Sequence, residues 1–129
     1  MPVVVVLLVL FWNPVVTFVL HELPFMGQTF SKAKWEEAIQ CSSKAECMAK
    51  EISCIRGPMY LSLKRSHLRL GTSKETIIQL LGPATHSQGD PSCTDYQLGM
   101  CSGFGMDYDW LRICYDQGNK VRSVSHYQG

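Results

Sequence analysis

The chain has 129 residues, with 12 Lys and Arg against 11 Asp and Glu and a net charge of +1, a balance that excludes a polybasic nucleic-acid binder and a disordered acidic or basic tail. Residues 1–20 carry no charged side chain, so every charge falls in the remaining 109 residues: enough for one domain with a modest core, too few for a multidomain enzyme. Six cysteines in a chain of this size raise the question of an oxidising compartment.

The chain opens on MPVVVVLLVLFWNPVVTFVL, in which sixteen of twenty residues are apolar. A helix of that length spans about 30 Å, the thickness of a bilayer core. Its flanks are unlike those of a cleaved secretory signal: no basic residue precedes the run, and no pair of small residues follows it. No Cys stands near its end for lipid attachment. Residues 1–20 are therefore read as an uncleaved membrane anchor. Three other readings stay open: a signal with poor flanks, a buried strand formed by VVVVLLVL, and a start site placed too early. Asn13-Pro14 would kink a helix, which membrane spans tolerate. Lys32 and Lys34 after the run would put the domain in the cytoplasm, whereas the cysteine count points to the extracytoplasmic side.

Residues 21–30, HELPFMGQTF, read as a linker, and 31–129 as the folded domain. Ser31 caps a short helix in which Trp35, Ala38 and Ile39 share one face. CSSKAEC, 41–47, reads as a polar turn. A second helix over 44–55 would bury a stripe of Ala45, Met48, Ala49, Ile52 and Ile55. Gly57-Pro58 interrupts it, and Pro58 suits the first turn of a third helix, PMYLSLKRSHL. Thr72 and Glu75 match a capping box opening a helix over 72–81. Its expected buried face is Ile77, Ile78, Leu80 and Leu81. Gly82 in the left-handed conformation and Pro83 end it.

Beyond residue 84 the period changes. CTDYQLGM puts Tyr96, Leu98 and Met100 on one face and Asp95 and Gln97 on the other. WLRICY sets Leu111, Ile113 and Tyr115 against Arg112 and Cys114. Asp116 to Asn119 is a hairpin turn signal, and KVRSVSHY is the third strand. The fold class is α+β: two or three short helices packed on a three-stranded antiparallel meander, preceded by the apolar N-terminal helix.

The order of these residues resembles the SmpA/OmlA family of small envelope domains, BamE-like in fold, and especially its membrane-anchored relatives of unassigned function. The likeness runs from Phe30 to the C-terminus. It rests on Phe30 and Trp35, Arg56-x-x-Met59-x-x-Ser62-Leu63, Leu70-Gly71-Thr72-Ser73-Lys74-Glu75, Leu80-Leu81-Gly82-Pro83, Tyr96-x-Leu98-Gly99, Asp107-x-Asp109-Trp110-Leu111-x-Ile113 and Asp116-x-Gly118-x-Lys120-Val121. Ser62, Thr72, Gly57-Pro58 and the six cysteines depart from the family pattern. The resemblance implies a non-catalytic, two-layer domain that binds other proteins through its sheet and loops. The outer-membrane accessory role of some relatives needs a lipid-anchoring Cys that this chain lacks.

Few residues carry chemistry. The cysteines form no C-x-x-C, and spacings of six and seven suit zinc poorly. Cys47 and Cys54 would lie about 10 Å apart along one helix, too far to bridge. Cys41 and Cys47 can close the turn before that helix. Cys93 and Cys114 share the sheet face opposite the apolar one, and Cys101 has the same parity if its strand reaches that far, so Cys114 can join a cross-strand bridge. Six reduced, partly buried cysteines remain the alternative. His21, His67, His86 and His126 are dispersed, and no spacing supports a Cys54–His67 pair. Asp107 and Asp109 read as acids that fix a turn rather than as a catalytic pair. Lys64, Arg65, His67 and Arg69 read as a solvated helix end before a lipid-headgroup contact. The Gly-rich loop 99–106 joins two strands, so it is no phosphate cradle. Phe104 and Met106 at its tip, with Tyr108 and Trp110 beside it, are the candidate partner-binding residues.

The expectation is a membrane-anchored, non-catalytic binding or scaffold domain with an unidentified protein partner. No nucleic acid, small-molecule substrate, cofactor or metal is expected. A secreted inhibitor or immunity-type binder of a soluble enzyme is the competing class. A thiol-dependent enzyme is the third, and it would need a cysteine of depressed pKa.

Overall fold

The computed structural model describes residues 23–85, 90–101 and 107–129. The apolar run 1–20 and its expected helix lie outside these residues. Among the described residues no helix is long and apolar enough to cross a membrane.

A 3-10 turn, Leu23–Phe25, leads into α1 (Lys32–Glu37) and α2 (Lys44–Ile52). A second 3-10 turn, Gly57–Met59, runs into α3 (Tyr60–Ser66), and α4 (Lys74–Leu81) follows. Strands β1 (Cys93–Gly99), β2 (Asp109–Tyr115) and β3 (Val121–Gln128) form one antiparallel sheet in the order β1-β2-β3. The α+β class and the three-stranded meander are as expected, with four α-helices among the described residues rather than two or three.

The alternation in β1 and β2 sets the layers. Tyr96, Leu98, Leu111, Ile113 and Tyr115 turn to one face and meet Trp35, Met59, Leu63, Ile77 and Leu81 in a single core. Trp35 is its anchor: the indole is fully buried and donates from Nε1 to the Leu81 carbonyl at 3.0 Å. Tyr96 Oη donates to the next carbonyl, that of Gly82, at 2.8 Å. The last carbonyls of a helix have no partner within it, so these two aromatic side chains close the C-terminus of α4 while filling the core. Gly82 stops the helix with φ 80° as expected, but its ψ of −171° is extended rather than left-handed helical.

Three local expectations change. The cap of α4 is Ser73, not Thr72: Ser73 Oγ accepts the Thr76 N–H at 3.2 Å, while Thr72 Oγ1 donates to the Arg69 carbonyl at 2.7 Å. Thr72 also accepts the Val121 N–H at 2.8 Å, and Gly71 donates to the Val121 carbonyl at 2.9 Å. The capping segment is thereby sewn to the start of β3. Ser73→Ala is expected to cost about 1 kcal/mol and to lower the melting temperature by about 5 °C, while Thr72→Val costs less; thermal unfolding of the two variants checks the assignment.

The second change concerns α2, which ends at Ile52 because Ser53 turns extended at φ −69° and ψ 149°. None of its residues is buried, and Met48 and Ile52 are about half exposed. Its expected stripe therefore does not enter the core; α2 lies against the open edge of β1, where Met100 donates to the Ile52 carbonyl at 3.3 Å. On α4, too, Ile78 is exposed rather than buried. The third change is in the segment read as a linker. Phe25 is 3% exposed and stacks on His126 of β3 at 4.4 Å. Phe30 donates its N–H to Ser62 Oγ at 2.9 Å.

Candidate functional site: the outer face of the sheet

No residue of the core cluster comes from the second face of the sheet. In register across it lie Asp95 against Arg112, Gln97 against Trp110, and Trp110 against Tyr127. Arg112 meets Asp95 with both ends of its fork, Nε to Oδ1 at 2.9 Å and Nη2 to Oδ2 at 3.0 Å. Tyr127 Oη donates to the same Oδ2 at 2.9 Å. The guanidinium carbon lies 4.6 Å from the centre of the Tyr127 ring, which stacks on Trp110 at 6.4 Å and 13°. Trp110 Nε1 donates to the Gly129 carbonyl at 3.1 Å, and Gly129 donates to the Tyr108 carbonyl at 3.0 Å.

These contacts make a fixed row: a carboxylate, a guanidinium and two aromatic rings, each held by the next. Alternation reads Asp95 as solvent-facing, yet it is 3% exposed because Arg112 and Tyr127 cover it. The bidentate bond holds the Arg112 guanidinium pKa above its ordinary value, chiefly through the Asp95 hydrogen bonds. Burial is the first cause of the raised Tyr127 phenol, with the Asp95 contact adding to it. Trp110, Arg112, Tyr127 and Tyr108 remain half-buried, so their faces stay open above the sheet.

Of the sequence-based candidates, Tyr108 and Trp110 stand at this face, while Phe104 and Met106 lie outside the described residues. Arg112 and Tyr127, absent from that set, complete the row. The signal that finds them is register: once Tyr96 is paired with Leu111, Arg112 must stand opposite Asp95.

All six cysteines are bridged: Cys41 with Cys47, Cys54 with Cys101, and Cys93 with Cys114. The Cys93–Cys114 bridge crosses β1 and β2 at the end of the outer face. Cys101 does not continue the strand parity, because β1 bulges between Gln97 and Gly99 and ends there. It joins Cys54 instead, a residue the sequence reading left outside the set. The Cys54–His67 pairing is thereby ruled out, since the Cys54 sulfur is already bonded. Asp109 Oδ2 accepts the Cys101 N–H at 2.7 Å, so this acid fixes the β1–β2 connection; Asp107 is exposed. Among the described residues no cluster of His, Cys, Asp and Glu is arranged to hold a metal.

No protein-family model, curated protein or solved structure matches this chain.

Proposed function

We propose that the chain is a non-catalytic binding or scaffold domain, anchored to a membrane by residues 1–20 and facing an extracytoplasmic space, which holds a protein partner on the outer face of its sheet. One observation carries this reading: Trp110, Tyr127 and Arg112 are stacked and hydrogen-bonded in place on a face that contributes nothing to the core. Tyrosine, tryptophan and arginine dominate binding energy at protein interfaces. Side chains already locked by their neighbours lose little rotamer freedom when a partner arrives. The three disulfides favour an oxidising compartment, and with every cysteine bridged they leave no thiol for a thiol-dependent reaction. The resemblance to SmpA/OmlA domains rests on the quoted residues alone.

Crosslinking and affinity capture of the membrane-bound chain tests the surface. Trp110→Ala is expected to weaken the captured complex by about 30-fold or more while all three disulfides and the far-ultraviolet spectrum are kept. Undiminished capture by Trp110→Ala and by a Tyr127→Ala companion would remove the sheet face from consideration. The disulfides suit a secreted inhibitor equally well; release of the domain into the medium by cleavage near residue 20 would favour that class.

A further inference from the structure

Arg56 is the most anomalous charge among the described residues. It lies between α2 and the Gly57–Met59 turn, is 3% exposed, and has no carboxylate partner among those residues. Nε donates to the Trp35 carbonyl at 3.0 Å, and the guanidinium carbon lies 4.2 Å from the centre of the Trp35 ring. Those contacts use one face and one of five N–H donors. Its terminal nitrogens make no hydrogen bond among the described residues, and no fully buried nitrogen there lacks a partner, so they border open space. That space is a cavity of about 30 Å³ in which Arg56, Ser53 and Gln97 stand beside the apolar Ala38, Ile39 and Leu98.

A cavity needs roughly 10–15 Å³ of this kind to hold one water, so this one accepts about two water-sized atoms, the size of the two oxygens of a carboxylate. It shares Ala38, Ile39, Glu51 and Gln97 with a shallower groove of about 200 Å³ beside the Cys41–Cys47 bridge. Ile39 on its rim is 61% exposed. Gln97 belongs both to the cavity and to the outer face, where it pairs with Trp110. A partner lying across Trp110 therefore reaches the cavity over one side chain.

We propose that Arg56 is a recessed receptor for a carboxylate, the side chain of a Glu or Asp on a peptide segment of the protein partner, inserted between α2 and the edge of β1. The proposal rests on the reading of the domain as a protein binder and names the chemistry it recognises. A guanidinium fork matches a carboxylate with two parallel bonds. Burial pushes the Arg56 pKa down to about 10, so at neutral pH the group is still charged and carries the desolvation penalty without a counter-charge. An entering carboxylate supplies that charge where water is already largely excluded. The other charges at the cavity are Lys50 and Glu51. Lys50 is engaged with Glu46 at 3.7 Å and with the carbonyls of Glu37 and Gln40 at the end of α1. Glu51 is exposed on the rim, a like charge that an entering carboxylate meets.

The test uses the full chain with its disulfides intact and nitrogen-15 in arginine and tryptophan. The probes are N-acetyl-glutamate amide, N-acetyl-glutamine amide and inorganic phosphate. The glutamate compound is expected to move the Arg56 Nε–H and Trp35 indole signals saturably at millimolar concentration, with the glutamine compound about tenfold weaker or more. Glu51→Gln, an exposed change that leaves the core alone, is expected to tighten the glutamate response about threefold. Arg56→Lys keeps the charge but loses the fork, and should weaken it. Equal responses to the two amides, a stronger response to phosphate, or still signals in both the parent and Glu51→Gln would each overturn the proposal. Trp110→Ala should leave this response unchanged. A chain that answers glutamate yet keeps every partner without Trp110 sinks the sheet-face reading alone.

Discussion

Replacing Trp35 with alanine is expected to cost about 4 kcal/mol, the middle of the range for a buried aromatic. Three functions meet in that side chain. It fills the centre of the core between α1, α4 and β1, with Tyr96 edge-on at 6.0 Å and Phe30 at 6.1 Å. Its Nε1–H closes the Leu81 carbonyl at the end of α4. Its ring supports the Arg56 guanidinium. Alanine leaves a cavity, an unsatisfied buried carbonyl and a buried charge with nothing beneath it. Trp35→Phe separates these effects, since it keeps most of the volume and loses the bond to Leu81, with an expected cost of about 1–2 kcal/mol. Urea unfolding of the disulfide-intact chain measures both. An alanine variant within about 1 kcal/mol of the parent would show that Trp35 does not organise the core.

The second large effect belongs to Cys54 and Cys101. They lie 47 positions apart, and a crosslink closing a loop of that size restricts the unfolded chain by about 4 kcal/mol. Converting both to serine should lower the melting temperature by on the order of 15 °C. Packing adds to the chain-entropy argument: a Cβ on Gly57 would collide with both sulfurs, so the turn before α3 is built directly against the bridge. Gly99, with φ 109°, approaches the Ser53 carbonyl closely enough that a Cβ there would collide with it. Cys41 and Cys47 are only 6 positions apart, and their removal should cost about 2 kcal/mol. Calorimetry of the two double variants compares them; equal losses would refute the loop-length argument.

Much of the fold was legible because it is periodic. Alternation marks β1 and β2, and Leu81-Gly82-Pro83 marks the end of α4. The start of α4 was read one residue early because Thr72 with Glu75 fits a capping box; the Arg69 carbonyl takes the threonine hydroxyl and leaves the cap to Ser73. The stripe Met48, Ile52, Ile55 has helical spacing, but Ser53 breaks the helix before Ile55, and the Cys54 bridge directs the chain to the β1–β2 connection. Phe25 belongs to no period, so nothing local distinguishes a core aromatic from one in a linker. At the outer face, Trp110 and Tyr108 were found by residue type. Tyr127, Arg112 and the buried Asp95 needed the strand register, which is a tertiary fact. Arg56 entered the family pattern but gave no sign of burial, because a lone arginine before Gly57-Pro58 looks solvated until it packs on the Trp35 ring.

The bridge pattern bears on how the chain matures. An oxidant acting on each cysteine in turn from the N-terminus joins neighbours in order. That would give Cys41–Cys47 correctly, then Cys54–Cys93 and Cys101–Cys114, both foreign to the native set. The native loops 54–101 and 93–114 overlap instead of following one another. Reaching them requires waiting for Cys114 or exchanging bonds afterwards through a thiolate. Oxidation in strict chain order therefore does not give this pattern; it needs either closure of the bridges after the whole chain is present or later exchange.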